Sequence, residues 1–294
     1  MPTDYFDEFI DNALKEDLGD GDHTSMACIP LNAVGKAQLI VKEKGIIAGV
    51  IVATRIFRKL DPESKVETFI GDGKEVKPFD VVFVVEGKVR ALLAAERLVL
   101  NIMQRMSGIA TATQGYVKAL EGMKTKVLDT RKTTPGMRLL EKAAVKAGGG
   151  ENHRFGLYDM ILIKDNHIDF AGGINETINR IREYLKDHNK PLRIEIEARN
   201  LDDVRKILEI GGIDRIMLDN FSVADTHNAV QIIKGKVETE SSGNITIENI
   251  REYAQCGVDF ISVGALTHQL KSLDLSLQAL NYKSDELAPS RTFL

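Results

Sequence analysis

The chain has 294 residues, of which 43% are hydrophobic and 28% charged, with a formal net charge of −4. That is length enough for one large or two ordinary domains with buried cores, in the composition of a soluble globular protein. The acidic balance excludes nonspecific nucleic-acid binding, which needs a basic surface, so a cluster of cations in this chain is a local feature.

The opening segment, MPTDYFDEFIDNALKED, puts Phe6, Phe9, Ile10, Ala13 and Leu14 on one face of an amphipathic helix. Its acidic character is unlike a secretory signal. KAQLIVKEKGIIAGV, SKVETFIG and DVVFVVEG follow as β-rich segments broken by glycine turns, with no regular helix expected between them. The longest apolar run, Gly45 to Ala53, is too short to span a bilayer. The two cysteines, Cys28 and Cys256, lack CxxC spacing, so no zinc motif or disulfide framework is expected and a reducing cytoplasm is the expected compartment. From about Ala94 a long helical pattern runs through AAERLVLNIMQRMSGIATATQGYVKALEG.

Beyond that helix, strands alternate with helices. KVLDTRK and MILIKDNH are the first two strands, and INETINRIREYLKDH is a helix with Ile174, Ile178, Ile181 and Leu185 on one face. RIEIEA, RIMLDN, KVETES and FISVGA follow, with terminal functional positions at Glu197, Asp219, Glu240 and Gly264, which are 22, 21 and 24 residues apart. Between them lie NLDDVRKILEIGG, capped by Asn200 and stopped by Gly211-Gly212, and TIENIREYAQCG, stopped by Gly257. This alternation predicts a parallel sheet with right-handed crossovers. Apolar strands buried on both sides fit a β/α barrel from about residue 116, with an open doubly wound sheet as the rival. Only six units are visible, so the barrel is incomplete or uses strands the pattern hides.

Functional side chains of such a barrel sit at the C-terminal strand ends and in the loops that follow. Read in order, the ends supply Asp129, Thr130, Arg131 and Lys132, then His153 and Arg154 from GGGENHR, then Lys164, Asp165, Asn166 and His167. Glu195 and Glu197, then Asp219 and Asn220, then Glu240, Ser241, Ser242, Gly243 and Asn244, then Val263, Gly264 and Ala265 complete the series. Cations come first, carboxylates next, and Gly-containing loops last. Arg and Lys suit a carboxylate-rich substrate, the carboxylates suit a hard cation or sugar hydroxyls, and SSGNIT and VGALT suit a phosphate. Each piece has a plainer reading: a solvated turn for TRK, a surface ion pair for Lys164 with Asp165, a purely structural role for one of Glu195 and Glu197, a flexible loop for Gly148-Gly149-Gly150.

EDLGDGDHTS, ERLVLNIMQRMSGIAT, DTRKTTPGMRLLEKAAVKAGGGENHR, IKDNH, IEIEA, LDNF, ESSGN and GVDFISVGALTH occur in this order over nearly the whole chain. In these motifs it resembles the quinolinate phosphoribosyltransferase family. The resemblance implies an α/β fold, with an N-terminal α/β sandwich domain over 1–115 and an incomplete β/α (TIM-like) barrel over 116–294. It also implies a C-terminal helix packing back on the first domain. It implies transfer of phosphoribosyl from phosphoribosyl pyrophosphate to quinolinate with decarboxylation, dependent on Mg²⁺. Quinolinate would lie among Thr130, Arg131, Lys132, His153, Arg154 and Lys164. Arg105 would reach in from a neighbouring subunit of a homodimer or hexamer. Glu197 and Asp219 would face the ribose and the metal, and the 5′-phosphate would rest on Ser242, Gly243, Asn244, Val263, Gly264 and Ala265. ESSGN ends in Asn where some members have Gly. Three other readings stand beside this one: a molybdenum-transport-associated paralogue, a nicotinate phosphoribosyltransferase, whose monocarboxylate needs fewer cations, and a non-enzymatic binding protein on the same scaffold.

Overall fold

The computed structural model describes residues 3–280. Two compact units are present, one formed by residues up to Gly108 together with the stretch from Ser272, the other by Ile109–Lys271.

The first unit begins with helix α1 (Thr3–Leu18), which buries Phe6, Ile10 and Leu14 along one stripe, and the short α2 (His23–Cys28). Strands β1 (Val34–Val41) and β2 (Gly45–Ile46) follow, then helix α3 (Val50–Leu60). This helix corrects the expectation of a β-only region. Val50, Ala53, Ile56 and Phe57 are buried at helical spacing, but three of the first four residues of the run, Val-Ile-Val-Ala, are β-branched and mask the period. Gly49, at φ 99°, turns the chain into it. Strands β3 (Lys65–Thr68), β4 (Glu75–Val76) and β5 (Val81–Lys88) complete the run before the 31-residue helix α4 (Val89–Ala119). The antiparallel sheet is ordered β12-β1-β5-β3, where β12 is Leu275–Leu280. Phe57 meets Phe83 edge-on at 5.9 Å in its core. The expected C-terminal helix is absent at Leu275–Leu280, where Leu277 and Ala279 lie opposite Leu39 and Ala37 in an antiparallel ladder; the rest of that expectation lies outside the described residues. The division at Gly108 falls inside α4, whose unbroken helical pattern carries no sign of it.

The second unit carries β6 (Lys126–Leu128), α5 (Arg138–Ala147), β7 (Ile161–Ile163), α6 (Asp165–Ala171), α7 (Ile174–Asp187) and β8 (Ile194–Ala198). Then come α8 (Leu201–Ile210), β9 (Arg215–Asp219), α9 (Val223–Ile233), β10 (Glu238–Ser242), α10 (Ile250–Gln255), β11 (Phe260–Ser262) and α11 (Ala265–His268). Asn200 caps α8 by accepting from the N–H groups of Asp202 and Asp203. The strands form one parallel sheet in the order β6-β11-β10-β9-β8-β7, so the first strand joins the last and the sheet curls on itself. Between β6 and β7 the ladder is missing, and one bridge, Leu128 to Glu151, occupies that edge. This is an incomplete barrel with one seam. Ile196, Ile216, Leu218 and Ile261 from the strands, with Val204, Ile207, Ala229 and Ile250 from the helices, are fully buried in its core.

Gly148-Gly149-Gly150 is part of this packing rather than the flexible loop of the plain reading. A Cβ on Gly148 would collide with the Ala110 carbonyl oxygen and lie 2.7 Å from Thr113 Cβ, and one on Gly150 would lie 2.8 Å from Val145 Cγ1. Gly148→Ala is therefore expected to destabilise the protein by about 1–3 kcal/mol, the usual result of overpacking. A denaturant midpoint equal to wild type would show that α5 and α4 do not press on each other there.

Candidate active site

Side chains alternate along a strand, so every second residue of each barrel strand points inward. On β8 these are Glu195 and Glu197, on β9 Arg215, Met217 and Asp219, and on β10 Glu240 and Ser242, in matched register. Of these, Glu197, Met217, Asp219, Glu240 and Ser242 enclose a cavity of about 360 Å³ with the loops around β6 and β7. Its walls include Thr130, Arg131, Lys132, His153, Arg154, Lys164, Glu197, Asp219 and Ser242, all expected from the sequence. Glu240, named among the strand-end side chains though given no binding role, also lines it, as do Leu162, Met217 and Ser262, which were not expected as site residues. A groove of about 670 Å³ beside α6, α7 and α8 is larger, but its Arg199 is already paired with Asp169 and Asp203.

The loop after β6 is held from several sides. Thr130 Oγ1 accepts from the Lys132 N–H at 3.0 Å, and Thr267 Oγ1 on α11 donates to Lys132 O at 2.7 Å. Arg138 donates to Thr133 Oγ1 and to Phe155 O, each at 3.0 Å, and so joins this loop to the one carrying Arg154. The buried Nε of Arg131 has no partner among the described residues. Burial, and then the charge of Arg131, push Arg154 below its ordinary value. Two guanidiniums placed this way call for an anion. Lys164 Nζ lies 2.7 Å from Glu197 Oε1, so the cationic and acidic sides of the cavity touch.

The phosphate-loop candidates sit after β10 and β11. Gly243 and Asn244 have φ of 95° and 52°, and Asn220 opposite them has φ of 55°. Asn244 Nδ2 donates to Asn220 Oδ1 at 3.2 Å, and Asn220 Nδ2 donates to Asp219 Oδ2 at 2.9 Å. The Val263 N–H donates to Leu128 O at 3.0 Å, Gly264 precedes α11, and Ala265 begins it. A Cβ on Gly264 would lie 3.4 Å from Lys132 Cδ, so the last loop borders the first. Arg105 lies on α4, in the first unit.

Beneath the cavity the barrel interior is charged. Arg215 Nη1 lies 2.9 Å from Glu240 Oε2 and 3.9 Å from Glu195 Oε2, while its Nε and Nη2 reach Glu238 Oε2 at 3.2 and 3.0 Å. His153 Nδ1 accepts from the Arg154 N–H at 2.7 Å, which makes Nε2 the protonated nitrogen, 3.0 Å from Glu195 Oε2. Burial holds the ring's basicity down. Among the described residues His153, Glu195 and Glu240 form the one group spaced to hold a metal, and the Arg215 guanidinium already serves as their cation. Burial pushes Glu195 up to about 7. Burial and then Glu195 push Glu240 up to about 8. Ion-pair distances alone would leave both carboxyls ionised, but dehydration decides: one guanidinium shared with Glu238 balances a single charge, and the pair keeps a proton. Sequence reading left open whether Glu195 or Glu197 is structural; Glu197 lines the cavity and Glu195 is sealed below it.

Glu240 is held above its unfolded value, so its stabilising contribution is complete below about 4.5 and disappears as the pH rises through about 8. Stability is expected to fall across that window by up to about 1.4 kcal/mol per pH unit. Thermal melts of Glu240→Gln should show a flatter profile than wild type. An equally steep profile would place the dependence on another group.

Comparison with known proteins agrees with this architecture. The family model of the quinolinate phosphoribosyl transferase C-terminal domain matches residues 109–278, and that of the N-terminal domain matches residues 22–107. Quinolinate phosphoribosyltransferase [decarboxylating] 1b of Nicotiana tabacum is 44% identical over 94% of this chain and 83% of its own length. The chloroplastic nicotinate-nucleotide pyrophosphorylase [carboxylating] of Arabidopsis thaliana is 45% identical with the same coverage. The crystal structure of NadC from Streptococcus pyogenes, 38% identical, superposes with a TM-score of 0.89 over 96% of this chain and 99% of that one. The chain belongs to the quinolinate phosphoribosyltransferase family.

Proposed function

We propose that the protein transfers the phosphoribosyl group of phosphoribosyl pyrophosphate to the ring nitrogen of quinolinate, releasing pyrophosphate and CO₂ and forming nicotinate mononucleotide for NAD biosynthesis. The observation that carries this reading is the convergence of Arg131, Lys132, Arg154 and Lys164 with Glu197 and Asp219 in one cavity. Two adjacent carboxylates on one ring need several cations, and the early strand ends supply them. The pyridine nitrogen is a weak nucleophile, so fixing the ring by both carboxylates supplies the alignment that would otherwise be paid in entropy. As pyrophosphate leaves, positive charge grows on the ribose C1, where Glu197 and Asp219 are suited to oppose it. Once the nitrogen is ribosylated it is cationic. The bond to the adjacent carboxylate can then break, its electron pair stays on the ring carbon, and a proton replaces CO₂.

Glu197 and Asp219 are hard oxygen donors suited to Mg²⁺, which when bound would neutralise charge on the departing pyrophosphate. The 5′-phosphate is assigned to Ser242, Gly243, Asn244, Val263, Gly264 and Ala265, supported by their place beside Asp219 and Lys132. Arg105 is assigned to a neighbouring subunit's site by its motif, which makes the active form a homo-oligomer, dimer or hexamer. Both Cys28 and Cys256 are free thiols, which supports a cytoplasmic location. Relatives from Nicotiana glauca and Arabidopsis thaliana are named mitochondrial and chloroplastic. Among the described residues no helix is long and apolar enough to cross a membrane.

With phosphoribosyl pyrophosphate and Mg²⁺, quinolinate should yield both CO₂ and nicotinate mononucleotide, and nicotinate should yield nothing. The reverse preference, or silence with quinolinate, sinks the reading. Lys132→Ala should lower turnover by about 100- to 1,000-fold, the size of losing one donor aimed at developing charge; wild-type-like turnover would remove Lys132 from the clamp. Arg105→Ala and Lys132→Ala subunits, each inactive alone, should regain activity when mixed, because a hybrid interface holds one intact site. No recovery after verified subunit exchange would place Arg105 outside the shared site.

A further inference from the structure

The seam of the barrel is closed by side chains. Past the single bridge from Leu128 to Glu151, the end of β6 faces the segment leading to Arg154, with no ladder to hold the two at a set spacing. Asp129 and Lys142 lie there, 0% and 2% exposed, in a direct ion pair. Asp129 Oδ1 also accepts from the His153 N–H at 2.8 Å, and Lys142 Nζ donates to His153 O at 3.0 Å. Asn152, with its amide turned to satisfy both neighbours, donates to Asp129 Oδ2 at 2.9 Å and to Lys142 O at 3.0 Å. Both polar groups of the His153 backbone are therefore held by one buried pair.

Stability alone does not account for such a pair. Removing two charges from water costs about as much as their attraction returns, and well-packed apolar replacements are often neutral or stabilising. What this pair supplies is position. Arg131 and Lys132 follow Asp129 directly on one lip of the seam, and Arg154 follows His153 on the other. Arg138 adds a second stitch between the same lips, from Thr133 to Phe155.

We propose that Asp129 and Lys142 are positioning residues that take over where the pairing of β6 stops at the Leu128–Glu151 bridge, set the distance between Arg131–Lys132 and Arg154, and so tune the cavity to two adjacent carboxylates. The proposal rests on the reading of the cavity as the quinolinate site. Neither residue touches substrate; each acts through the loop it holds.

The test uses the full-length oligomer and compares wild type with Lys142→Met, Lys142→Arg and the double variant Asp129→Asn/Lys142→Met. Lys142→Met leaves a buried carboxylate unpaired and should melt lower. The double variant removes that charge and should recover most of the melting temperature. Its KM for quinolinate should nonetheless rise about 10-fold or more, while its KM for phosphoribosyl pyrophosphate stays within about twofold and Lys142→Arg keeps part of the affinity. A double variant with wild-type KM for quinolinate, or with both KM values raised alike, would overturn the proposal and leave the pair merely structural. Failure of the underlying reading looks different: wild type itself would not turn over quinolinate.

Discussion

A parallel sheet that curls but does not close leaves backbone donors and acceptors along its edge, and buried backbone groups without partners cost on the order of 1–3 kcal/mol each. In this barrel the edge runs between β6 and β7. Glu151 satisfies one step of it, accepting from the Asp129 N–H at 3.1 Å and donating to Val127 O at 2.8 Å. Side chains take over from there, and the two lips they join carry the cations of the cavity. The geometry of the anion site is thus the geometry of the seam. A closed eight-stranded barrel would hold the same loops apart by strand pairing; here a shorter polar cross-link does so, and the loops approach from both sides of a gap.

The interior obeys a second constraint. Layers of branched apolar side chains usually fill a small barrel, whereas His153, Glu195, Arg215 and Glu240 occupy this one. The arrangement suits an anion site above it. Two fully ionised carboxylates under the cavity would repel a dicarboxylate substrate, but a pair that holds one proton against Arg215 adds little net charge. His153 lies against the same pair, its Nε2 3.0 Å from Glu195 Oε2, and its Nδ1 accepts from the Arg154 N–H. His153 thereby contributes to the cationic face chiefly by placing Arg154. Glu197 and Asp219, by contrast, line the cavity at the strand ends.

Most of the barrel was legible because its signals are periodic. Six strand–helix units, the N-cap at Asn200 and the order of cations, carboxylates and glycines can all be read along the chain. What was hidden depends on distant parts of the fold. Lys142 reads as one more solvated lysine in LLEKAAVK, and its burial appears only when α5 packs against the seam. Gly148 and Gly150 read as loop formers, yet each is required because a Cβ would strike Thr113 or its neighbours. Arg215 opens a strand that reads as apolar, and a strict count of alternate positions from Asp219 back through Met217 would have found it facing inward. Helix α3 escaped because β-branched residues obscure a helical period. In each case the local signal was weak or contrary, and tertiary contact decided.

Asn244 joins two parts of the site. At φ 52° the position suits glycine, and asparagine is among the few other residues that accept that conformation readily. Its side chain does more than fit the turn. Glycine would leave Asn220 Oδ1 without the donor that Asn244 Nδ2 provides, and Asn220 in turn donates to Asp219. The loop assigned to phosphate and the carboxylate assigned to the metal and ribose are consequently linked by two side-chain hydrogen bonds across the ends of β9 and β10. Neighbouring Gly243 has no such latitude: at φ 95° its Cβ would run into the Asn220 side chain and break the link from the other side. Backbone shape therefore restricts one position to glycine, and a polar chain gives the next a reason to be asparagine.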